Sequence, residues 1–88
     1  MRALARSVIF LCLFLELSNE DEVDPDSAVR ALEDIAGELK FASDDEKLAI
    51  REALDELISE ERAGPSGLPT RSEVLRFYEH FMEYIGIE

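Results

Sequence analysis

Residues that carry catalysis and cross-linking are scarce in this chain of 88 residues, which has one cysteine, one histidine and no tryptophan. Cys12 has no second cysteine to pair with, so no disulfide forms within the chain, and a structural zinc site needs four ligands. A lone cysteine also favours a reducing compartment, and we expect a cytoplasmic protein. His80 lies beside Glu79, but no serine or cysteine occupies a recognisable nucleophile motif. We therefore predict no enzyme activity, no cofactor and no metal.

Long apolar runs are also absent. The longest, residues 8–15, is far shorter than the ~20 residues that a helix needs to span a bilayer, so no stable membrane span is expected. Arg2 and Arg6 precede it, as basic residues do in a signal peptide, but no small-x-small cleavage site follows. Three interpretations of residues 1–23 stay open. They are a start-site extension or disordered leader, a signal peptide or weak anchor that makes the protein secreted or membrane-tethered, and an integral part of the fold.

Basic residues are few. Nine lysines and arginines stand against 21 aspartates and glutamates, which gives a formal net charge of −12. Such a chain is repelled by nucleic acid phosphates and by anionic membranes, so we expect neither as a partner. The excess of acid favours a basic protein as partner, although acidity that serves only solubility explains the same composition.

Capping and turn signals divide residues 24–88 into helices. Three amphipathic helices are predicted, at about 25–42, 44–62 and 71–85. Asp24 and Pro25 suit the N-cap and the first position of the first helix. Ser43 and Glu46 match a capping box for the second, and the short connection between the two predicts an antiparallel hairpin. We predict an all-α fold, a small three-helix bundle that follows the N-terminal leader and its acidic spacer.

The third helix is predicted from the signals at its two ends. Residues 63–69 hold two glycines and two prolines, which predict a loop. Thr70 and Glu73 match a second capping box, and Gly86 is expected to end the helix in the left-handed conformation. The helix carries four aromatic residues, Phe77, Tyr78, Phe81 and Tyr84. They either close the core against the hairpin or leave a flank, such as Tyr78 with Tyr84, exposed to a partner. The same excess predicts a homodimer through the C-terminal helix.

The candidate functional surface is the outer face of the second helix. Glu52, Glu56 and Glu60 recur every four residues, with Asp55 beside them. Like charges at this spacing destabilise a helix by roughly 0.2–0.5 kcal/mol per pair. Repulsion of this kind that nearby basic residues do not offset indicates that the acids serve a function, so we predict that these four acids bind a basic partner. The alternative is a solvated face that only keeps the protein soluble.

In size, charge and helix content the chain is similar to the small acidic helical immunity and antitoxin proteins of bacteria. That resemblance implies a non-catalytic protein that neutralises a basic toxin by protein–protein interaction. Two other functions stay open. One is a nucleic-acid mimic that regulates a DNA-binding protein, and the other is a secreted or membrane-tethered small protein.

Overall fold

The structure, a computed structural model, describes residues 1–64 and 71–87. Within these residues the regular secondary structure is α-helical and contains no strand. The helices are α1 (Arg2–Leu17), α2 (Pro25–Leu39), α3 (Asp44–Ala63), α4 (Ser72–Glu79) and α5 (Phe81–Ile85). The predicted all-α helical bundle is thereby confirmed. The predicted loop from Pro65 to Pro69, and Thr70 of the second capping box, lie outside the described residues.

Local side-chain caps begin α2 and α3 where the sequence predicts them. The Asp24 carboxylate accepts a hydrogen bond from the Ser27 N–H at 3.0 Å, and Pro25 occupies the first helical position. At α3 the Ser43 hydroxyl accepts from the Glu46 N–H at 3.1 Å, while the Glu46 carboxylate accepts from the Ser43 N–H at 2.9 Å. Each cap satisfies backbone donors that have no partner within the helix, so both helices have defined starts.

The N-terminal segment forms helix α1, and α1 belongs to the same core as the later helices. Ala5, Ile9 and Cys12 are buried on one of its sides, and Ile9 and Cys12 are fully covered. Helix α1 packs against both α2 and α3, whereas α2 and α3 make few direct contacts with each other in the described part of the chain. The antiparallel hairpin predicted for these two helices is therefore spread open around α1. An eight-residue run that is apolar on all sides can contact two neighbours at once.

The predicted third helix is divided at His80, whose φ of −110° and ψ of 9° interrupt the helical backbone. Helix α4 ends at Glu79 and the single turn of α5 follows. Gly86 has the predicted left-handed conformation, with a φ of 81°, and the Ile87 N–H donates to the Met82 carbonyl at 3.2 Å. Ile87 is 3% exposed, so the chain folds back onto the core after α5 as the capping pattern predicts.

Aromatic side chains of α4 and α5 belong to the same core as the buried side chains of α1. Phe81 is fully buried, and the Phe77 ring meets it edge to face with centroids 5.7 Å apart. The Tyr78 ring is 3% exposed. Tyr78 and Phe81 are thus used within the molecule, whereas Tyr84 is 50% exposed, and the homodimer through the C-terminal helix stays a prediction.

One buried ion pair joins the end of α3 to the start of α4. Glu61 is 6% exposed, and its carboxylate accepts from the Arg71 guanidinium at 2.7 Å and from the Arg71 N–H at 3.0 Å. The backbone bond places a negative charge at the N-terminus of α4, where the helix dipole favours it. The guanidinium hydrogen bond, with the backbone bond second, lowers the pKa of Glu61 below its usual value.

This lowered pKa makes Glu61 a source of acid sensitivity. The ionised carboxylate stabilises the folded state above the pKa of about 4.5 that a free glutamate has, and this stability is lost as the pH falls through the lower folded value. Glu61→Gln should lower the free energy of unfolding at pH 7, because it removes the charged acceptor of the Arg71 hydrogen bonds. The loss should be only about 1–2 kcal/mol, because the Arg71 side chain is largely exposed and solvent screens the pair. The difference from the parent chain should shrink in urea melts as the pH falls below about 4.5. The matched control is Glu38→Gln, at an exposed acid outside the ion pairs of the described residues, which should change the free energy of unfolding at pH 7 by less than about 0.5 kcal/mol.

Candidate binding surface on helix α3

The apolar side of α3 faces the core, which leaves an acidic side towards solvent. Ile50, Ala53, Leu54 and Leu57 are buried. The outward side exposes four acids, Asp44, Asp45, Glu52 and Asp55. Within residues 1–64 and 71–87, none of these four has a cationic group within 4 Å. Two members of the predicted site, Glu52 and Asp55, therefore present unneutralised charge to solvent.

The other two predicted acids of α3 are engaged by α1. Arg2 Nε donates to the Glu56 carboxylate at 2.9 Å. Arg6 donates to Glu60 through both terminal nitrogens, at 2.9 and 3.1 Å, and to Glu56 at 3.3 Å. The hydrogen bonds from Arg6 lower the pKa of Glu60. The repulsion between the glutamates of α3 is thus offset by two arginines some fifty positions away in the sequence. The prediction that no cation compensates this row of like charges is wrong for Glu56 and Glu60.

A groove lies between the first turn of α1 and the first half of α3. It has a volume of about 280 Å³. It is lined by the carboxylates of Asp45, Glu52 and Glu56 and by the apolar side chains of Met1, Leu48 and Ala49. Arg2 lines it as well, and its guanidinium is held by Glu56. Asp45 and Glu52 are the carboxylates of this groove that remain available to a cation from outside.

The two tyrosines of the predicted site do not join these acids. Tyr78 belongs to the core, and its burial raises the pKa of its hydroxyl, so its proposed role as an exposed contact is wrong. Tyr84 is 50% exposed, and its hydroxyl donates to the Glu16 carboxylate at 2.5 Å. Burial, joined by this hydrogen bond, raises the pKa of Tyr84 to about 12. Glu16 is at the opposite end of α1 from Arg2, so Tyr84 lies far from the acidic groove.

The groove also contains residues that were not predicted from the sequence as part of a binding site, among them Asp45, Leu48 and Met1. An acid at position 45 is expected in any case, because Asp45 lies in the first turn of α3, where the helix dipole favours negative charge. That explanation gave no reason to consider Asp45 together with Glu52 as part of a binding surface. Leu48 is 50% exposed although its side chain is apolar. Its seven-residue separation from Asp55 and four-residue separation from Glu52 place the three on one side of α3, which is the signal that could have been used.

Groups with chemical reactivity lie apart from this groove. The Cys12 thiol is fully buried, and burial raises its pKa to about 11. His80 is exposed, and its Nδ1 is 3.8 Å from a Glu83 carboxylate oxygen, beyond hydrogen-bonding distance. Among the described residues, no three His, Cys, Asp or Glu side chains are grouped closely enough to hold a metal ion. The arrangement on α3 is suited to binding a cationic group.

Comparison with protein-family models, with curated proteins and with solved structures gave no match to this chain. Among the helices of the described residues, none combines the length and the apolar character needed to cross a membrane.

Proposed function

We propose that the chain is a non-catalytic protein that binds a basic protein partner through the acidic side of α3, in the manner of immunity and antitoxin proteins. The observation that carries the proposal is the groove in which Asp45 and Glu52 have no cationic group of the described residues within 4 Å, beside the exposed Leu48. A lysine or arginine side chain has a charged end and an apolar stem, and it matches a groove that is lined by both carboxylates and apolar side chains. The cytoplasm, which suits a lone thiol, is the proposed location.

The internal contacts of α3 support this choice of partner chemistry. Arg2 and Arg6 are four residues apart on one helix, and they meet Glu56 and Glu60, which are four residues apart on the other. The same helix therefore already holds two guanidinium groups on one flank. Glu52 and Asp55 continue the acidic surface beyond that flank, where an arginine of another protein would find comparable carboxylates.

The overall charge supports rapid association with such a partner. A net charge of −12 attracts a basic protein over distances of about one Debye length, roughly 8–10 Å at physiological ionic strength. This attraction raises the association rate, while the groove supplies the contacts that set specificity. Binding by this surface should therefore weaken as salt is added.

The proposal is tested by capture from a lysate of the native host with the full chain as bait. A double variant, Asp45→Asn with Glu52→Gln, should lose a captured basic protein, with at least about a tenfold fall in affinity once the partner is purified. The matched control is Asp34→Asn with Glu38→Gln on α2, which removes the same charge from exposed acids outside the ion pairs of the described residues.

Equal weakening by the two double variants would show that binding depends on net charge alone, and it would refute a site on α3. Unchanged binding by the α3 variant would refute it as well. Competition of the captured protein with duplex DNA separates a nucleic-acid mimic from an immunity-like protein, because only the mimic must occupy the DNA-binding groove.

A further inference from the structure

The outward side of α1 is an apolar surface with no counterpart elsewhere in the described residues. Five large side chains of this helix are substantially exposed: Leu4 (73%), Phe10 (43%), Leu11 (49%), Phe14 (50%) and Leu17 (42%). At 100° per residue they fall on one side of α1, opposite the buried Ala5, Ile9 and Cys12. We call these five residues the α1 outer face.

The spacing within the α1 outer face is that of a helix-pairing seam. Leu4 and Leu11 are seven residues apart and Phe14 follows three residues later, which is the a–a–d pattern of a heptad. Ser7 occupies the d position between them, and its hydroxyl donates to the Ala3 carbonyl at 2.7 Å. With its donor used locally, this serine leaves a small neutral gap that a side chain of a facing helix can enter.

The α1 outer face is also electrically neutral. The nearest cation, Arg6, is held by Glu60, and its guanidinium carbon lies 5.6 Å from the centre of the Phe10 ring. Glu16 at the other end is hydrogen-bonded by Tyr84. A neutral apolar surface on a chain of net charge −12 gives no electrostatic attraction to the basic partner proposed for α3, and the chain as a whole is repelled by anionic lipid.

We infer that the α1 outer face is the interface of a homodimer, in which α1 packs against α1 of a second copy about a twofold axis. An isologous contact places the same surface on both sides, so a neutral apolar seam is complementary to itself. This assignment is an alternative to the predicted dimer contact through the C-terminal helix, where Tyr78 and Phe81 are already buried within one molecule.

The size of the surface sets the strength of the dimer. Five partly exposed Leu and Phe side chains offer on the order of 400 Å² per copy, at the scale of patches that mark interaction sites. The total for two copies is below the ~1,200 Å² of buried surface at which stable interfaces begin, so the dimer is weak and reversible.

The charge of the chain sets how the dimer responds to salt. Two copies of charge −12 repel each other, and added salt screens that repulsion. Dimerisation therefore strengthens with salt, opposite to binding of a basic partner by α3.

Sedimentation equilibrium of the full chain tests the dimer at low and at high sodium chloride concentration. We expect a monomer–dimer equilibrium in the micromolar range, shifted towards dimer by salt. Phe14→Glu should raise the dissociation constant at least about tenfold, as should Leu4→Glu at the most exposed position of the face. The matched control is Phe41→Glu, which introduces the same charge at a phenylalanine that is 86% exposed in the α2–α3 connection. It should leave the equilibrium unchanged, and circular dichroism should show that all three variants keep the parent helix content.

A chain that remains monomeric at high micromolar concentration in both salts would overturn the inference. Equal weakening by Phe14→Glu and Phe41→Glu would overturn it too, because the α1 outer face would then have no special role. The inference would also be overturned if the monomer cosediments with phosphatidylcholine vesicles and Phe14→Glu abolishes this cosedimentation, since the α1 outer face would then bind lipid.

Discussion

Removal of residues 1–17 is expected to abolish cooperative unfolding of the remaining chain. Helix α1 lies between α2 and α3, and these two helices make few contacts of their own. Without α1, α2 loses most of its packing surface, and the core that α3 shares loses the buried side chains of Ile9 and Cys12. Ile9 alone contributes about 1.5–3 kcal/mol by burial, and a chain of this size has a total stability of only about 5–10 kcal/mol.

Thermal and urea melts of the full chain and of residues 18–88, followed by circular dichroism at 222 nm, measure this effect. The full chain should show a sigmoidal transition, and the shortened chain a low initial helix content with a broad, non-cooperative loss of signal. A shortened chain that melts with the parent's midpoint and slope would contradict the packing of α1 in the core.

A point substitution separates the packing of α1 from any other effect of truncation. Ile9→Asp places a carboxylate at a fully buried position and should destabilise the protein by several kcal/mol. Phe10→Asp is the matched control, because the neighbouring side chain is 43% exposed and lies on the α1 outer face. Its effect on the unfolding free energy of the monomer should stay below about 1 kcal/mol. Equal effects of the two substitutions would show that α1 has no fixed buried side.

The ends of α2 and α3 could be predicted from the sequence because caps are local. Asp24 with Pro25 and Ser43 with Glu46 use side chains within three residues of the backbone groups that they satisfy. Gly86 was predictable for the same reason, since few residues other than glycine adopt its left-handed backbone without strain. Such signals need no knowledge of the rest of the molecule.

The place of α1 could not be predicted in the same way. Residues 8–15 are apolar on every side, so the run has no periodicity that indicates which side is buried. A basic start followed by an apolar run is also the composition of a signal peptide. What decides between a leader and a core helix is tertiary packing against α2 and α3, and no local rule contains that information.

The candidate site also has one part that local sequence signals predict and another that depends on tertiary packing. The acidic row on α3 and the exposure of Glu52 and Asp55 follow from helical periodicity and could be predicted. The pairing of Arg2 and Arg6 with Glu56 and Glu60 joins residues 50 and 54 positions apart. The matched four-residue spacing on both helices was visible in the sequence, but it indicates a contact only once α1 is known to lie beside α3.

The division of the third helix at His80 and the burial of Tyr78 also depend on packing. Every residue from Ser72 to Ile85 tolerates a helix, so the sequence gives no reason to interrupt it. The interruption redirects the chain so that Phe81, the first residue of α5, points into the core and meets Phe77. Tyr78 is buried on α4 as a consequence, whereas Tyr84 on α5 stays half exposed.

Truncation of Phe81 to alanine should have the largest effect of any single substitution in the C-terminal half. The side chain is fully buried, and its loss removes both the edge-to-face contact with Phe77 and the filling of the space after the interruption at His80. Phenylalanine-to-alanine changes in cores cost about 3–5 kcal/mol. Chains of this size have a total stability of only about 5–10 kcal/mol, so the variant should be partly unfolded at physiological temperature.

The matched control is Phe41→Ala, which removes the same atoms from a side chain that is 86% exposed. Its unfolding free energy should stay within about 0.5 kcal/mol of the parent chain, because a solvated ring contributes little packing. Urea melts of both variants give the two free energies on the same scale. A Phe81→Ala loss below about 1 kcal/mol would mean that α5 does not close the core. Since the Ile87 N–H bond to Met82 depends on the same turn, the C-terminal residues would then also lack a fixed position against α1.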